Sequence, residues 1–121
     1  MENLIDQAKA AAERFLACRG YDVIATDWTC PAGKVDIIAE DEDGGIAFID
    51  VFARRGYEDG FPTAAESGKS LAERETIALH FLAQHDKCNI PFRFDNISLA
   101  VVGEGRACIR HHISVGETLP A

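Results

Sequence analysis

Two alternating runs, Lys34–Glu40 and Ile46–Ala53, flank the link Asp41-Glu42-Asp43-Gly44-Gly45. A short acidic, glycine-rich link between such runs is a hairpin signal, and it constrains this chain more than any other feature. Centring the turn on Asp43 sets Glu40 across from Ile46, Ile38 from Phe48, Asp36 from Asp50 and Lys34 from Phe52. The intervening positions gather Val35, Ile37, Ala39, Ala47, Ile49, Val51 and Ala53 on one wholly apolar face, which must be core. A slip of one residue would scramble both faces, so the register is specified.

The other face carries the chemistry. Asp36 and Asp50 fall directly across from one another, with Cβ atoms ~4.5–5.5 Å apart. Like charges so placed need a shared divalent cation, a shared proton or a nearby cation. Two readings follow: a metal or catalytic site, or a solvated face on which Asp36 pairs with Lys34 and Asp50 meets water. Ile38, Phe48 and Phe52 on the same face predict that it is partly covered, as by a helix.

The flanking sequence supplies helices and further strands. Leu4, Ile5, Ala8, Ala11, Ala12, Phe15 and Leu16 recur at helical steps, predicting a helix over residues 4–19 stopped at Gly20. Tyr21–Trp28 reads as a strand broken at Pro31 and Gly33. Residues 54–68, with Gly56, Gly60 and Pro62, read as a loop or partly ordered lid. A second helix runs from about Ser70 to Gln84, then strands Phe92–Val102 and Ala107–Val115 flank Gly103-Glu104-Gly105, ahead of a frayed tail from Glu117. The expectation is a single α/β domain over residues 1–121, with a mixed sheet of about five strands and a helix on each side. At 121 residues and 47% apolar types, such a domain can bury a core, and intrinsic disorder is excluded. No apolar run approaches the ~20 residues of a spanning helix, and the charged N-terminus lacks a signal-peptide core, so no membrane association and a cytoplasmic location are expected. Cys18, Cys30, Cys88 and Cys108 contain no C-x-x-C pair, which fits neither a zinc knuckle nor a redox motif. The formal charge of -8 opposes polyphosphates at long range.

Taken in order, AERFLACRGYDVI, DWTCPAGKVDIIAEDEDGGIAFIDVFAR, IALHFL and FRFDNISLAVV resemble the YraN-like, or UPF0102, group of small bacterial proteins, from about Ala8 to Val115. That resemblance implies a restriction-endonuclease-like fold of the PD-(D/E)XK nuclease class. The family pattern G-E-I-D reads here Gly33-Lys34-Val35-Asp36, and E-V-K reads Asp50-Val51-Phe52. The resemblance therefore implies Mg²⁺ ligands at Asp36, Asp50 and the Val51 carbonyl. It also marks departures: Phe52 stands where the family has a water-activating lysine, and Lys9 stands where it has a first-helix glutamate. The second helix, usually basic, begins Lys69-Ser70-Leu71-Ala72-Glu73-Arg74-Glu75, and the arginine-rich stretch after the first strand is reduced to Thr29-Cys30-Pro31.

Lys34, opposite Phe52, is a candidate replacement for the missing lysine, and a plain counter-ion is the alternative. Arg54, Arg55 and Lys69 are the candidate nucleic-acid contacts. His111 and His112 point to opposite faces of their strand and read as surface residues, and Arg93 and Asp95 read as bracketing a sheet edge. Three functions are then expected to compete. One is a nucleic-acid-binding endonuclease relative using Mg²⁺ weakly, with Asp36, Asp50 and Lys34 as its catalytic group. Another is a nuclease-fold relic without catalysis. The third is an accessory module whose acidic surface docks a basic protein partner.

Overall fold

The computed structural model describes residues 3–55, 69–85, 90–103 and 106–113. Most of the segment read as a lid, Cys88, the turn residues Glu104 and Gly105, and the tail lie outside them. The elements are α1 (Leu4–Cys18), β1 (Asp22–Cys30), β2 (Gly33–Glu40), β3 (Ile46–Arg55), α2 (Leu71–Gln84), β4 (Phe92–Gly103) and β5 (Arg106–His112). Five strands form one mixed sheet in chain order: β1, β2 and β3 are antiparallel, β3 and β4 parallel, and β4 and β5 antiparallel. A parallel pair needs a long crossover, and α2 is part of that connection. No described helix is long and apolar enough to cross a membrane.

Each face of the sheet carries a helix. On one, Ala8, Ala12 and Leu16 of α1, spaced four apart, pack on Ile37, Ala39, Ala47, Ile49, Val51, Ile97 and Leu99. On the other, Ile77, Ala78, Phe81 and Leu82 of α2 pack on Val35, Ile38, Ile46 and Phe48, which supplies the cover that Ile38 and Phe48 called for. Local signals set the helix ends. Asn3 caps α1 by accepting the Asp6 N–H at 2.8 Å, and Ser70 caps α2 by accepting the Glu73 N–H at 3.1 Å. Past α1 the chain reverses through Gly20 at φ 88°, where an added Cβ would also strike the Glu42 carboxylate.

The central hairpin pairs in the expected register only as far as Ile37↔Ile49, through Ile38↔Phe48, Ala39↔Ala47 and Glu40↔Ile46. The expected pairs of Asp36 with Asp50 and Lys34 with Phe52 do not form, because Asp36 turns its carboxylate to the Val51 N–H. Two further expectations need correction. Val35 is buried, but on the α2 side rather than beside Ile37, because strand alternation fails at Asp36. Arg54 and Arg55 belong to β3, not to a loop, since pairing with β4 carries the strand that far. Arg93 and Asp95 pair with β3 alone, ahead of the β4–β5 pairs that begin at Asn96, so they do bracket an edge of the sheet.

Candidate functional site

Asp36 stands where the sheet parts. Thr26 pairs with Ile37 and Trp28 with Val35, while Asp27 between them turns to φ 48°, a left-handed conformation that aspartate tolerates better than most residues. On the other side, the Val51 N–H is taken by Asp36 Oδ2 at 2.8 Å. The carboxylate thus does the work of a ladder partner for β3, and its second oxygen meets cations. Lys9 Nζ lies 3.4 Å and Lys34 Nζ 3.7 Å from Asp36 Oδ1. Lys9 also binds Asp27 at 2.8 Å. That bond is the main cause holding the Asp27 carboxyl below its ordinary range and the Lys9 ammonium above its own. Asp6, Glu13, Thr26, Asp27 and Asp36 line a cleft of about 320 Å³ around Lys9.

Asp50 is served from the opposite helix. Lys69, immediately before the Ser70 cap, donates to Asp50 Oδ1 at 2.7 Å, with its side chain only 19% exposed. Burial pushes the Asp50 carboxyl up; Lys69 opposes this, the neighbouring charge of Asp36 adds to it, and Arg74 opposes it again. Arg74 is itself buried on α2. Cross-strand pairing continues the row through Asn96 to His112, and the next row runs Phe52, Ser98, Arg110. Asn96 and Ser98 are buried polar residues, and Asn96 Oδ1 has no hydrogen-bond partner among the described residues.

The two aspartates therefore do lie on adjacent strands and feel each other's charge, but each is matched by its own lysine. Asp36 has Lys9 and Lys34, while Asp50 has Lys69 and, more distantly, Arg74. Lys34 is half-exposed and reaches Asp36 rather than the Asp50 carboxylate. Val51 is tied to Asp36 through its N–H. Arg54 falls on the same face as Asp50, whereas Arg55 alternates to the α1 face at the strand end. Among the described residues no group of three or more histidines, cysteines and acids is placed to hold a metal ion.

Asp27 and the Lys69–Asp50 bond were not anticipated. The first was readable: Cys30 pairs with Gly33 across Pro31-Ala32, and the centring used for the main hairpin would have set Asp27 beside Asp36. The second joins residues nineteen apart through a helix start, which no local pattern encodes.

A second polar cluster lies at the other end of β4. Arg93 Nε donates to both oxygens of the fully buried Asp95 at 3.0 and 3.2 Å, and its Nη1 reaches Asp41 at 2.9 Å. Its Nη2 donates to the Tyr21 hydroxyl. His111 Nε2 meets Asp95 Oδ2 at 2.8 Å, and its ring stands edge-on to Phe15 and Tyr21. The His111 side chain is thus packed in rather than on the surface, because Phe15 of α1 and Tyr21 stand against it. Spanning Tyr21 just before β1, the β2–β3 link, β4 and β5, this cluster reads as a structural clasp.

Comparison with known proteins gives a consistent picture. The profile of the uncharacterised protein family UPF0102 matches residues 8–99. A UPF0102 protein of Roseiflexus castenholzii is 39% identical over 97 residues, covering 79% of this chain and 77% of the relative. One from Myxococcus xanthus is 37% identical, covering 85% and 79%, and one from Beutenbergia cavernae 30% identical, covering 87% and 88%. Among solved structures, a repair endonuclease from Pyrococcus abyssi is similar over 87% of this chain and 41% of its own, at 18% identity and a TM-score of 0.42.

Proposed function

The chain belongs to the uncharacterised protein family UPF0102, and from that premise we propose a nuclease-related domain that holds nucleic acid and hydrolyses phosphodiesters weakly or not at all. The observation that supports weak chemistry is the separate neutralisation of Asp36 and Asp50 by lysines. Four fixed cations (Lys9, Lys34, Lys69 and Arg74) surround three carboxylates, those of Asp27, Asp36 and Asp50. A divalent ion entering there would have to displace ammonium groups from its own ligands, so this set does not suit Mg²⁺ as arranged. Phe52 compounds the loss, since a phenyl ring neither moves a proton nor holds a hydroxide. A general acid–base group is worth ~10²–10⁴-fold, and losing one without replacement leaves little activity to detect.

The test is cleavage of plasmid, single-stranded DNA and RNA with Mg²⁺ or Mn²⁺, beside calorimetry with Mn²⁺. The expected result is no robust cleavage and weak Mn²⁺ binding that Asp36→Ala abolishes. Cleavage by the wild type that is lost in both Asp50→Ala and Lys34→Ala would overturn this reading and make Lys34 the working lysine. Cleavage gained only in Lys34→Glu with Phe52→Lys would support a scaffold that has lost its chemistry. A second reading, an accessory module for a basic protein partner, is favoured by the acidic cleft around Asp6, Glu13, Asp27 and Asp36. It prevails if no salt-dependent nucleic-acid complex forms.

A further inference from the structure

The two outer strands of the sheet, β1 and β5, are built differently. The unpaired N–H and C=O groups along an outer strand are a template for another extended chain. β1 is a poor template. Its register shifts between Val23 and Ala25, and Asp27 turns to φ 48° and binds Lys9. Bulges and kinks of this kind twist an edge away from partners. β5 pairs with β4 without a break from Asn96↔His112 to Val101↔Ala107. Arg106, Ala107, Arg110, His112 and Ile113 are exposed. An alanine has almost no side chain to display, so exposure at Ala107 is exposure of the strand itself. Among the described residues, no backbone hydrogen bond outside the sheet ladder engages residues 106–113.

Alternation sets the chemistry of this edge. Cross-strand pairing puts Cys108, Arg110 and His112 on the face of Ala100, Ser98 and Asn96, and Arg106 follows on the same face. The other face carries Ala107, Ile109, His111 and Ile113, of which Ile109 packs on the α1-side core and Ile113 is 58% exposed. From Arg106 to Ile113 there is no acid, in a chain with 20 acids against 12 bases. We propose that β5 takes up an extended peptide of another protein as an added strand. Acidic residues of that peptide face Arg106, Arg110 and His112, and apolar residues alternating with them lie beside Ala107, Ile109 and Ile113. Arg110 also engages another group of the protein, so Arg106 is the main anchor. Ladder hydrogen bonds supply affinity in this mode, and the alternate side chains supply selectivity. A second copy of this chain fits less well, since antiparallel β5 strands bring cation against cation. A nucleic acid would meet the cations but leave the N–H and C=O groups of the strand without ladder partners. The proposal does not depend on how Asp36 and Asp50 act.

The test uses the full chain and a labelled peptide of about eight residues that alternates glutamate with valine. One control peptide has the same composition in two blocks, and another is N-methylated along its backbone. Fluorescence anisotropy reads affinity, and amide NMR shifts locate the contact. The alternating peptide should bind, shift the amides of residues 106–113, and outbind each control peptide by about tenfold or more. Arg106→Glu should weaken it about threefold to tenfold, because an attractive cross-strand pair becomes a repulsive one. Arg14→Glu, on the exposed side of α1, should leave it unchanged. Thermal melts establish that each variant is folded, and Arg106→Gln stands in if the reversal is not. Equal losses in Arg106→Glu and Arg14→Glu, undiminished binding of the methylated peptide, shifts that avoid β5, or no binding would each overturn the proposal. Tighter binding of single-stranded DNA at the same amides would overturn it in favour of a nucleic-acid contact. Self-association through β5, read by sedimentation, would overturn it in favour of a second copy.

Discussion

Asp50 carries a cost that its neighbours do not fully offset. Burial raises its carboxyl above the ordinary range despite the hydrogen bond from Lys69. A carboxyl raised in the folded state holds its proton to higher pH than in the unfolded chain, so stability falls as pH climbs from the ordinary carboxylate range through the folded value. Asp50→Asn removes that titration. The melting temperature of Asp50→Asn relative to the wild type should therefore improve as pH rises out of the ordinary carboxylate range and level off once the folded carboxyl has ionised, as scanning calorimetry would measure. A difference independent of pH would mean that Asp50 is solvated and that Lys69 lies elsewhere. Retaining a destabilising carboxylate is the pattern expected of a residue kept for binding or chemistry rather than for folding.

At the scale of elements, the Arg93–Asp95–His111 clasp decides how the ends of β1, β4 and β5 meet. Asp95 has no exposure, and Arg93 shares its Nε–H between both Asp95 oxygens and also links to Asp41. Arg93→Met removes one member and leaves a buried carboxylate short of its cation, which costs roughly 3–5 kcal/mol. Denaturant unfolding should show that loss, and a change under 1 kcal/mol would argue against the clasp. On the α2 side, Phe81 packs edge-on to Trp28 at 5.5 Å and to Phe48 at 5.8 Å. Phe81→Ala should cost about 3–5 kcal/mol. The same variant should also weaken the anchoring of Lys69, because α2 is what carries that lysine to Asp50.

For the molecule as a whole, the balance of charge matters more than any one ion pair. Among the described residues, Lys9 is the one cation lining the α1-side cleft with Asp6, Glu13, Asp27 and Asp36. Lys9→Glu removes that cation, adds an acid to the cleft and moves the formal charge from -8 by two further negative charges. At low salt this should lower stability by on the order of 1 kcal/mol, with recovery as salt screens the repulsion. Mn²⁺ should stabilise Lys9→Glu more than the wild type, since the ammonium that competes for Asp36 is gone. Equal Mn²⁺ effects on both proteins, read by thermal shift, would count against Lys9 as a competitor for the Asp36 carboxylate.

The sequence by itself determined the strands, both helices, the hairpin register and the pairing of Ile37 with Ile49, because alternation, caps and a five-residue link are local signals. It also placed Asp36 and Asp50 on adjacent strands. The tertiary structure alone decided which charges meet them. Lys69 reaches Asp50 only once α2 docks on Phe48 and Ile38, and Lys9 reaches Asp36 only once Ala8, Ala12 and Leu16 seat α1 on the sheet. The flip that sends Val35 to the α2 side likewise comes from Asp36 bonding the Val51 N–H, a contact between strands that alternation within one strand cannot reveal. Periodicity reports which face a residue occupies, whereas ion pairing depends on distances that exist only after the layers have packed.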